Sequence, residues 1–157
     1  MLVAEQSVGN PHPTFFAQGF KYAHFMVSII SLQLVVFMLY RIAHHDLKTH
    51  LIRDFDLVML FIFFTFFFEI NLVHGGYYFV LLFLLNIITR ASIGFGDVKL
   101  ALILGSAMNS LLQLVISIDV AWIIGGVWAL ISKRKSIPFA PAMILGAVIG
   151  QISISLR

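Results

Sequence analysis

Long apolar runs separated by short polar segments follow one another along most of this chain. A helix needs about 20 mostly apolar residues (about 17–25) to cross the ~30 Å hydrocarbon core of a bilayer. Residues 22–40 and 57–73 satisfy this requirement, and residues 77–89 form a shorter run. Residues 98–108 and 111–131 are almost continuous, and residues 137–156 form the last run. The pattern predicts an all-α polytopic membrane protein with about six transmembrane helices.

Two turn signals set the boundaries of these helices. The segment HGGYY at residues 74–78 predicts a turn between the second and third helices. The small and polar residues at 105–110 predict the turn between the fourth and fifth helices. A turn near Asp119 is the alternative, and it would place this acid in water rather than inside the fifth helix.

The composition supports a chain that is dissolved in lipid. Of the 157 residues, 61% are hydrophobic and 11% are charged, and the mean hydropathy is +1.02. Soluble domains average about 45–50% apolar and about 25% charged residues. We therefore attribute the net charge of +3 to basic residues that set the orientation in the membrane, and we expect no nucleic-acid partner. The absence of cysteine excludes disulfides, thiolate zinc sites and a cysteine nucleophile.

The first 20 residues contain no lysine, no arginine and no apolar core, so we expect no cleavable signal peptide there. We expect residues 1–20 to form a short tail outside the cytoplasm, within a single membrane-embedded domain that covers residues 1–157.

The basic residues indicate how the helices are oriented. Eight of the ten follow the first, third and fifth predicted helices: Arg41, Lys48, Arg53, Arg90, Lys99, Lys133, Arg134 and Lys135. Only Lys21 and Arg157 fall on the other side. The positive-inside rule makes the basic side cytoplasmic. Both termini are then extracytoplasmic, whichever turn joins the fourth and fifth helices.

Two acids are predicted to share the cytoplasmic boundary. Asp46 follows the first helix, and Asp97 lies at the start of the fourth in the sequence GFGD. Two helices separate them, and two crossings return the chain to the same face. Carboxyls about 3 Å apart share a proton, so one can activate water while the other polarises a peptide carbonyl. Gly94 and Gly96 would let the backbone bend, or let a substrate strand approach.

Each of these residues also has a simpler interpretation. Asp97 could cap the fourth helix through its side chain. Acids in membrane helices also serve proton-coupled or ion-coupled transporters, which is the alternative function. His44, His45 and His50 surround Asp46, but they lack the fixed convergent geometry of a metal site, and we expect no metal.

Three segments resemble one known family. GFGDVKLAL is similar to the Gly-x-Gly-Asp-Val-Lys-Leu signature of the type IV prepilin peptidases, which are intramembrane aspartyl proteases. DLKTHLIRDFDL resembles the family's other aspartate motif, with Arg53 and Asp54 where Pro-Asn is usual. SIPFAPAMILGAVIG resembles its late Ile-Pro-Phe-x-Pro segment. The chain lacks the cysteine-containing insert of the longer members, so it resembles the short form, and an amino-methyltransferase activity is not implied.

The resemblance implies a function and a location. The chain would cleave the basic leader of a prepilin or pseudopilin at the cytoplasmic face of the cytoplasmic membrane. Asp46 and Asp97 would be catalytic, and no cofactor would be required. Asp54 and Asp56 are candidates for contacts with the basic leader, although ordinary solvated acids are the simpler interpretation.

The last predicted helix carries a face of small residues. Ala142, Gly146 and Gly150 recur every four residues and so lie on one side of that helix. Such a face favours close helix packing, either within the chain or between chains in an oligomer.

Overall fold

The computed structural model describes residues 15–88, 93–132 and 138–155. These residues form six helices and no strand. The helices are α1 (Phe15–Thr49), α2 (Asp54–Phe67), α3 (Leu72–Ile88), α4 (Phe95–Ser106), α5 (Leu111–Ser132) and α6 (Ala140–Ser155). The predicted all-α fold of about six helices is therefore confirmed. Residues 1–14 of the expected tail lie outside the described residues, and α1 already begins at Phe15.

Two of the described helices are long and apolar enough to cross a membrane by length and composition. They are the Phe25–Thr49 part of α1 and the whole of α5, with mean hydropathies of 2.0 and 2.2. The apolar helices α3 and α6 are shorter. Large apolar side chains are exposed on every helix, for example Phe37, Ile88 and Ile131, of which Ile131 is 76% exposed. This apolar exterior is consistent with a lipid environment.

The turn between α2 and α3 does not lie where the sequence predicted it. The chain turns at residues 68–71, and the HGGYY segment lies inside α3. Asn71 caps α3, because its Oδ1 accepts hydrogen bonds from the backbone amides of Val73 (3.1 Å) and His74 (3.3 Å). Gly75 of this segment allows close helix packing instead. A methyl on Gly75 would lie 2.6 Å from the carbonyl oxygen of Leu102 in α4.

The turn between α4 and α5 was predicted correctly. Helix α4 ends at Ser106, and the Oε1 atom of Gln113 accepts hydrogen bonds from the amides of Asn109 (2.8 Å) and Ser110 (3.2 Å). The alternative turn near Asp119 is wrong, because α5 continues through this residue without interruption. Asp119 is exposed on the surface of α5.

The small-residue face of α6 packs against α5 of the same chain. Ala142, Gly146 and Gly150 are all buried. A methyl on Gly146 would overlap the carbonyl oxygen of Ser117, and one on Gly150 would lie 2.8 Å from the carbonyl oxygen of Gln113. The predicted helix contact is therefore made within the chain, and this face is not open to a second chain.

Three helix ends meet at one end of the molecule. The last turn of α1 contacts the start of α6 through a hydrogen bond between Asp46 and Ala140. The first turn of α4 lies against Ile52 in the loop that joins α1 to α2. All three segments that carry the family resemblance therefore contribute to this end.

Candidate active site

Asp46 lies inside α1 and not in the loop after it. No residue between positions 40 and 49 breaks the helix, so α1 continues to Thr49 and carries Asp46 in its last turns. The side chain is only 4% exposed. Its Oδ2 atom accepts a hydrogen bond of 3.1 Å from the backbone amide of Ala140, the first residue of α6. Asp46 thus supplies an acceptor for one of the free amides at the start of another helix.

The position of that amide is fixed by the residue before it. The ring of Phe139 packs on Trp122 of α5, with a centroid distance of 5.5 Å. Gly125 leaves room for this ring, because a methyl there would lie 2.5 Å from the Cε2 atom of Phe139. Phe139 therefore holds the start of α6 against α5. The Ile-Pro-Phe-x-Pro segment marked this region in the sequence, although its first residue, Ile137, lies outside the described residues.

Asp97 is the third residue of α4 and is 8% exposed. The helix is preceded by Gly94 in an extended conformation (φ −62°, ψ 136°), and no side chain caps it. The interpretation of Asp97 as the N-cap residue is therefore wrong. Among the described residues, the Oδ1 atom of Asp97 has no hydrogen-bond partner. Such an atom is costly to bury without a function, since an unsatisfied buried acceptor costs about 1–3 kcal/mol.

Asp46 and Asp97 come from helices that are not neighbours in sequence, yet their carboxyl groups interact electrostatically. The carboxyls of Asp46 and Asp97 are close enough for the charge of one to influence the other. Both are buried, and both belong to helix ends that meet at the same end of the molecule. The structure thus brings together the pair that the two-helix separation predicted to share one boundary.

Gly94 and Gly96 have different surroundings. Neither glycine has a positive φ, so neither is required for a left-handed backbone. A methyl on Gly96 would lie 2.8 Å from the Cβ atom of Ile52, so this glycine allows α4 to approach the α1–α2 loop. Gly94 is exposed, and a methyl there would lie 3.3 Å from the Oδ2 atom of Asp97. Gly94 therefore keeps one side of that carboxyl uncovered.

The two acids predicted to contact a basic leader are in contrasting environments. Asp56 is 2% exposed and forms an ion pair of 2.9 Å with Arg41 of α1. Its carboxylate is occupied and turned away from solvent, so it is not available for the leader contact that the sequence suggested. Asp54 is 71% exposed, and its Oδ1 atom lies 2.6 Å from the Nζ atom of Lys99.

The histidines near Asp46 shape the end of α1. The Nδ1 atom of His45 lies 2.7 Å from the carbonyl oxygen of Leu51 and 2.9 Å from the hydroxyl of Thr49. His50 has a φ of 52°, the left-handed conformation that often ends a helix. Together these contacts fold the chain back from α1 towards α2 and place the loop that Gly96 touches.

Tyr78 of α3 is a residue that the sequence did not single out. It is fully buried, and its hydroxyl has no hydrogen-bond partner among the described residues. The phenol of Tyr78 interacts electrostatically with the carboxyl group of Asp97. Tyr78 is also packed tightly against α4, because a methyl on Gly105 would lie 3.0 Å from its Cβ atom. Two unpaired polar groups, the phenol and the Oδ1 atom of Asp97, therefore lie in the same buried region.

Comparison of this chain with family models, with curated proteins and with solved structures gives no match. The functional interpretation therefore rests on the residues and on the geometry described above.

Proposed function

We propose that this protein is a membrane aspartyl endopeptidase that cleaves the leader peptides of type IV prepilins or pseudopilins. The observation that supports this most strongly is the pairing of Asp46 and Asp97, two buried acids from α1 and α4 at one end of the molecule. Buried acids whose charges influence each other are costly, and such pairs are typical of catalytic sites. The three motif resemblances in the sequence all contribute to this end.

The proposed reaction divides the work between the two carboxyls. We assign the ionised role to Asp46, because the amide of Ala140 and the start of α6 favour a negative charge there. Asp46 accepts a proton from water as the water oxygen bonds to the carbon of the scissile carbonyl. Protonated Asp97 hydrogen-bonds to the carbonyl oxygen as it gains charge. Collapse of the tetrahedral intermediate breaks the C–N bond, and the amine departs with a proton from the acid pair.

The substrate would approach from the exposed side of this site. An open groove of about 420 Å³ lies between α2 and α4, with apolar walls that include Leu57, Phe61 and Leu102. Asp54 and Lys99 also line this groove. The groove could receive the start of the apolar helix that follows a prepilin leader. Asp54 remains the candidate for a contact with the basic leader, since Asp56 is buried.

We also propose that the chain crosses the cytoplasmic membrane about six times with both termini outside the cytoplasm. The exposed apolar side chains and the distribution of basic residues support this arrangement. A reporter that works only in the cytoplasm should be active when fused after Arg134 and inactive when fused after Asn71. The reverse pattern would place both acids outside and contradict cleavage of a cytoplasmic leader.

The position of the acids favours a peptidase over a transporter. A carrier usually places its ionisable residues near the middle of the membrane, often at broken helices. Asp46 lies three residues before the end of α1, and Asp97 is the third residue of α4. Both are therefore near helix ends, where a cytoplasmic peptide can reach them.

The test is cleavage of a co-expressed prepilin, read as loss of the leader on a gel. Asp46→Asn and Asp97→Asn should each abolish cleavage while the protein still accumulates in the membrane. The double variant should be little worse than either single variant, because the two groups act as a unit. Glu69→Gln is the matched control, since it removes an exposed acid in the turn between α2 and α3, away from the site. Cleavage by either single active-site variant would remove that residue from the mechanism.

A further inference from the structure

An acid lies on the outer surface of the most apolar candidate span. Helix α5 has a mean hydropathy of 2.2 over its best window, and Asp119 is exposed on it. The ion pairs among the described residues are Arg41–Asp56 and Lys99–Asp54, and neither involves Asp119. The carboxylate therefore points away from the helices of its own chain and is not part of the Asp46–Asp97 site.

The depth of this acid makes its exposure costly. Asp119 is the ninth of the 22 residues of α5, so it lies ~12 Å along the axis from the start of the helix. Since half of the hydrocarbon core is ~15 Å, Asp119 falls near the middle of a spanning α5. Ionisable residues at this depth are rare, and they are paired or functional.

The surface around Asp119 is shaped for another helix. Gly126 lies seven residues later, which is two helical turns, and so shares the exposed stripe of Asp119. It is exposed, and a methyl there would meet no atom within 4 Å. Beside this stripe lies an open apolar groove of about 380 Å³, lined in part by Ile123, Val127 and Ile131. Exposed glycines in membrane helices allow a second backbone to approach closely.

We propose that this stripe of α5 binds a transmembrane helix of another protein, one that is apolar except for a lysine or arginine near its middle. The cation would pair with Asp119, and the partner backbone would approach over Gly126. A second copy of this chain is a poor occupant, because a symmetric α5–α5 contact would bring two copies of the same acid together. This inference rests on the membrane embedding proposed above and not on peptide cleavage.

The test uses the full chain reconstituted into phosphatidylcholine vesicles. Because the chain has no cysteine, Leu51→Cys in the exposed α1–α2 loop gives a single site for a fluorescent donor. The probe is a synthetic leucine–alanine helix with one central lysine and an acceptor dye, compared with the same helix carrying a central leucine. Energy transfer should show association with the lysine probe that is about ten-fold tighter than with the leucine probe.

Variants on the stripe should remove this preference. Asp119→Leu should bind both probes equally, and Gly126→Leu should weaken the lysine probe by blocking close approach. Glu69→Gln, which removes an exposed acid in the turn between α2 and α3, should behave like the parent protein. Equal binding of the two probes by the parent protein, or an unchanged preference in Asp119→Leu, would overturn the proposal.

Two further outcomes separate this inference from the proposed function. With Ile123→Cys as the single cysteine, efficient formation of a disulfide-linked dimer in vesicles would identify a second copy as the occupant and overturn the proposal. With Asp119→Cys, reaction with a membrane-impermeant maleimide as fast as Leu51→Cys would show that this part of α5 is not in lipid. That result would contradict the proposed membrane arrangement. Normal probe binding without prepilin cleavage would contradict only the proposed peptidase function.

Discussion

The hydrogen bond between Asp46 and Ala140 predicts a difference between two variants that are both expected to be inactive. Asp46→Asn and Asp46→Ala each remove the carboxylate. Asparagine keeps an oxygen that can accept the amide of Ala140, whereas alanine does not. The bond joins the end of α1 to the start of α6 in a buried position, so its loss leaves an amide without a partner.

The expected magnitude follows from that amide. A buried donor left without a partner costs about 1–3 kcal/mol, and side-chain capping of a helix start is typically worth about 1 kcal/mol. We therefore expect Asp46→Ala to lower the free energy of unfolding by about 1–3 kcal/mol relative to Asp46→Asn. The comparison with asparagine, and not with the parent protein, isolates the hydrogen bond because the charge is absent from both variants.

Denaturant unfolding in detergent micelles, followed by tryptophan fluorescence, would measure this difference. Trp122 packs on Phe139, the residue just before α6, and so reports on the junction concerned. Trp128→Phe in both variants removes the other tryptophan. Equal stability of the alanine and asparagine variants, within about 0.5 kcal/mol, would refute the assignment of Asp46 as a structural partner of α6.

Three further predictions concern stability. Tyr78→Phe should leave the free energy of unfolding unchanged or raise it by up to about 2 kcal/mol, because it removes an unpaired buried hydroxyl. Tyr77→Phe is the exposed control. A larger loss of stability in Tyr78→Phe than in this control would contradict the prediction. Gly146→Ala should lower the free energy of unfolding by about 1–3 kcal/mol, because the methyl group would push α5 and α6 apart. Gly126→Ala places its methyl group in open space and should raise the free energy of unfolding by about 0.8–1 kcal/mol. Equal melting temperatures of these two variants would contradict the prediction. Gly96→Ala should cost about 1–3 kcal/mol through its clash with the isoleucine of the α1–α2 loop, measured by the same unfolding assay, and an unchanged midpoint would count against that contact.

The turn between α2 and α3 was misplaced because glycine can serve either a turn or the close packing of helices. The glycines of the HGGYY segment signal a turn when only neighbours along the chain are considered. In the structure Gly75 lies inside α3, where the absence of a side chain lets the backbone of α4 come within van der Waals distance. The turn itself is marked by Asn71, whose side chain caps the next helix. A glycine needed for helix packing and one needed for a turn look the same in a sequence.

The role of single acids was equally undetermined before the fold was known. Asp54 and Asp56 are two residues apart, yet one is exposed and the other is paired with Arg41 in the interior. Successive positions on a helix point about 100° apart, so residues separated by two face nearly opposite sides. Which side is buried depends on where α1 lies, and the local sequence does not contain that information.

The sequence by itself determined the all-helical class, the number of helices and the turn after α4. Each of these depends on hydrophobicity and charge over short stretches of chain, which neighbouring residues specify. Only the tertiary structure decided that Asp46 binds an amide 94 residues away, that the α6 small-residue face is used inside the chain, and that Asp119 faces outward. Burial and hydrogen-bond partners are set by contacts between distant segments, and those contacts exist only once the helices have packed.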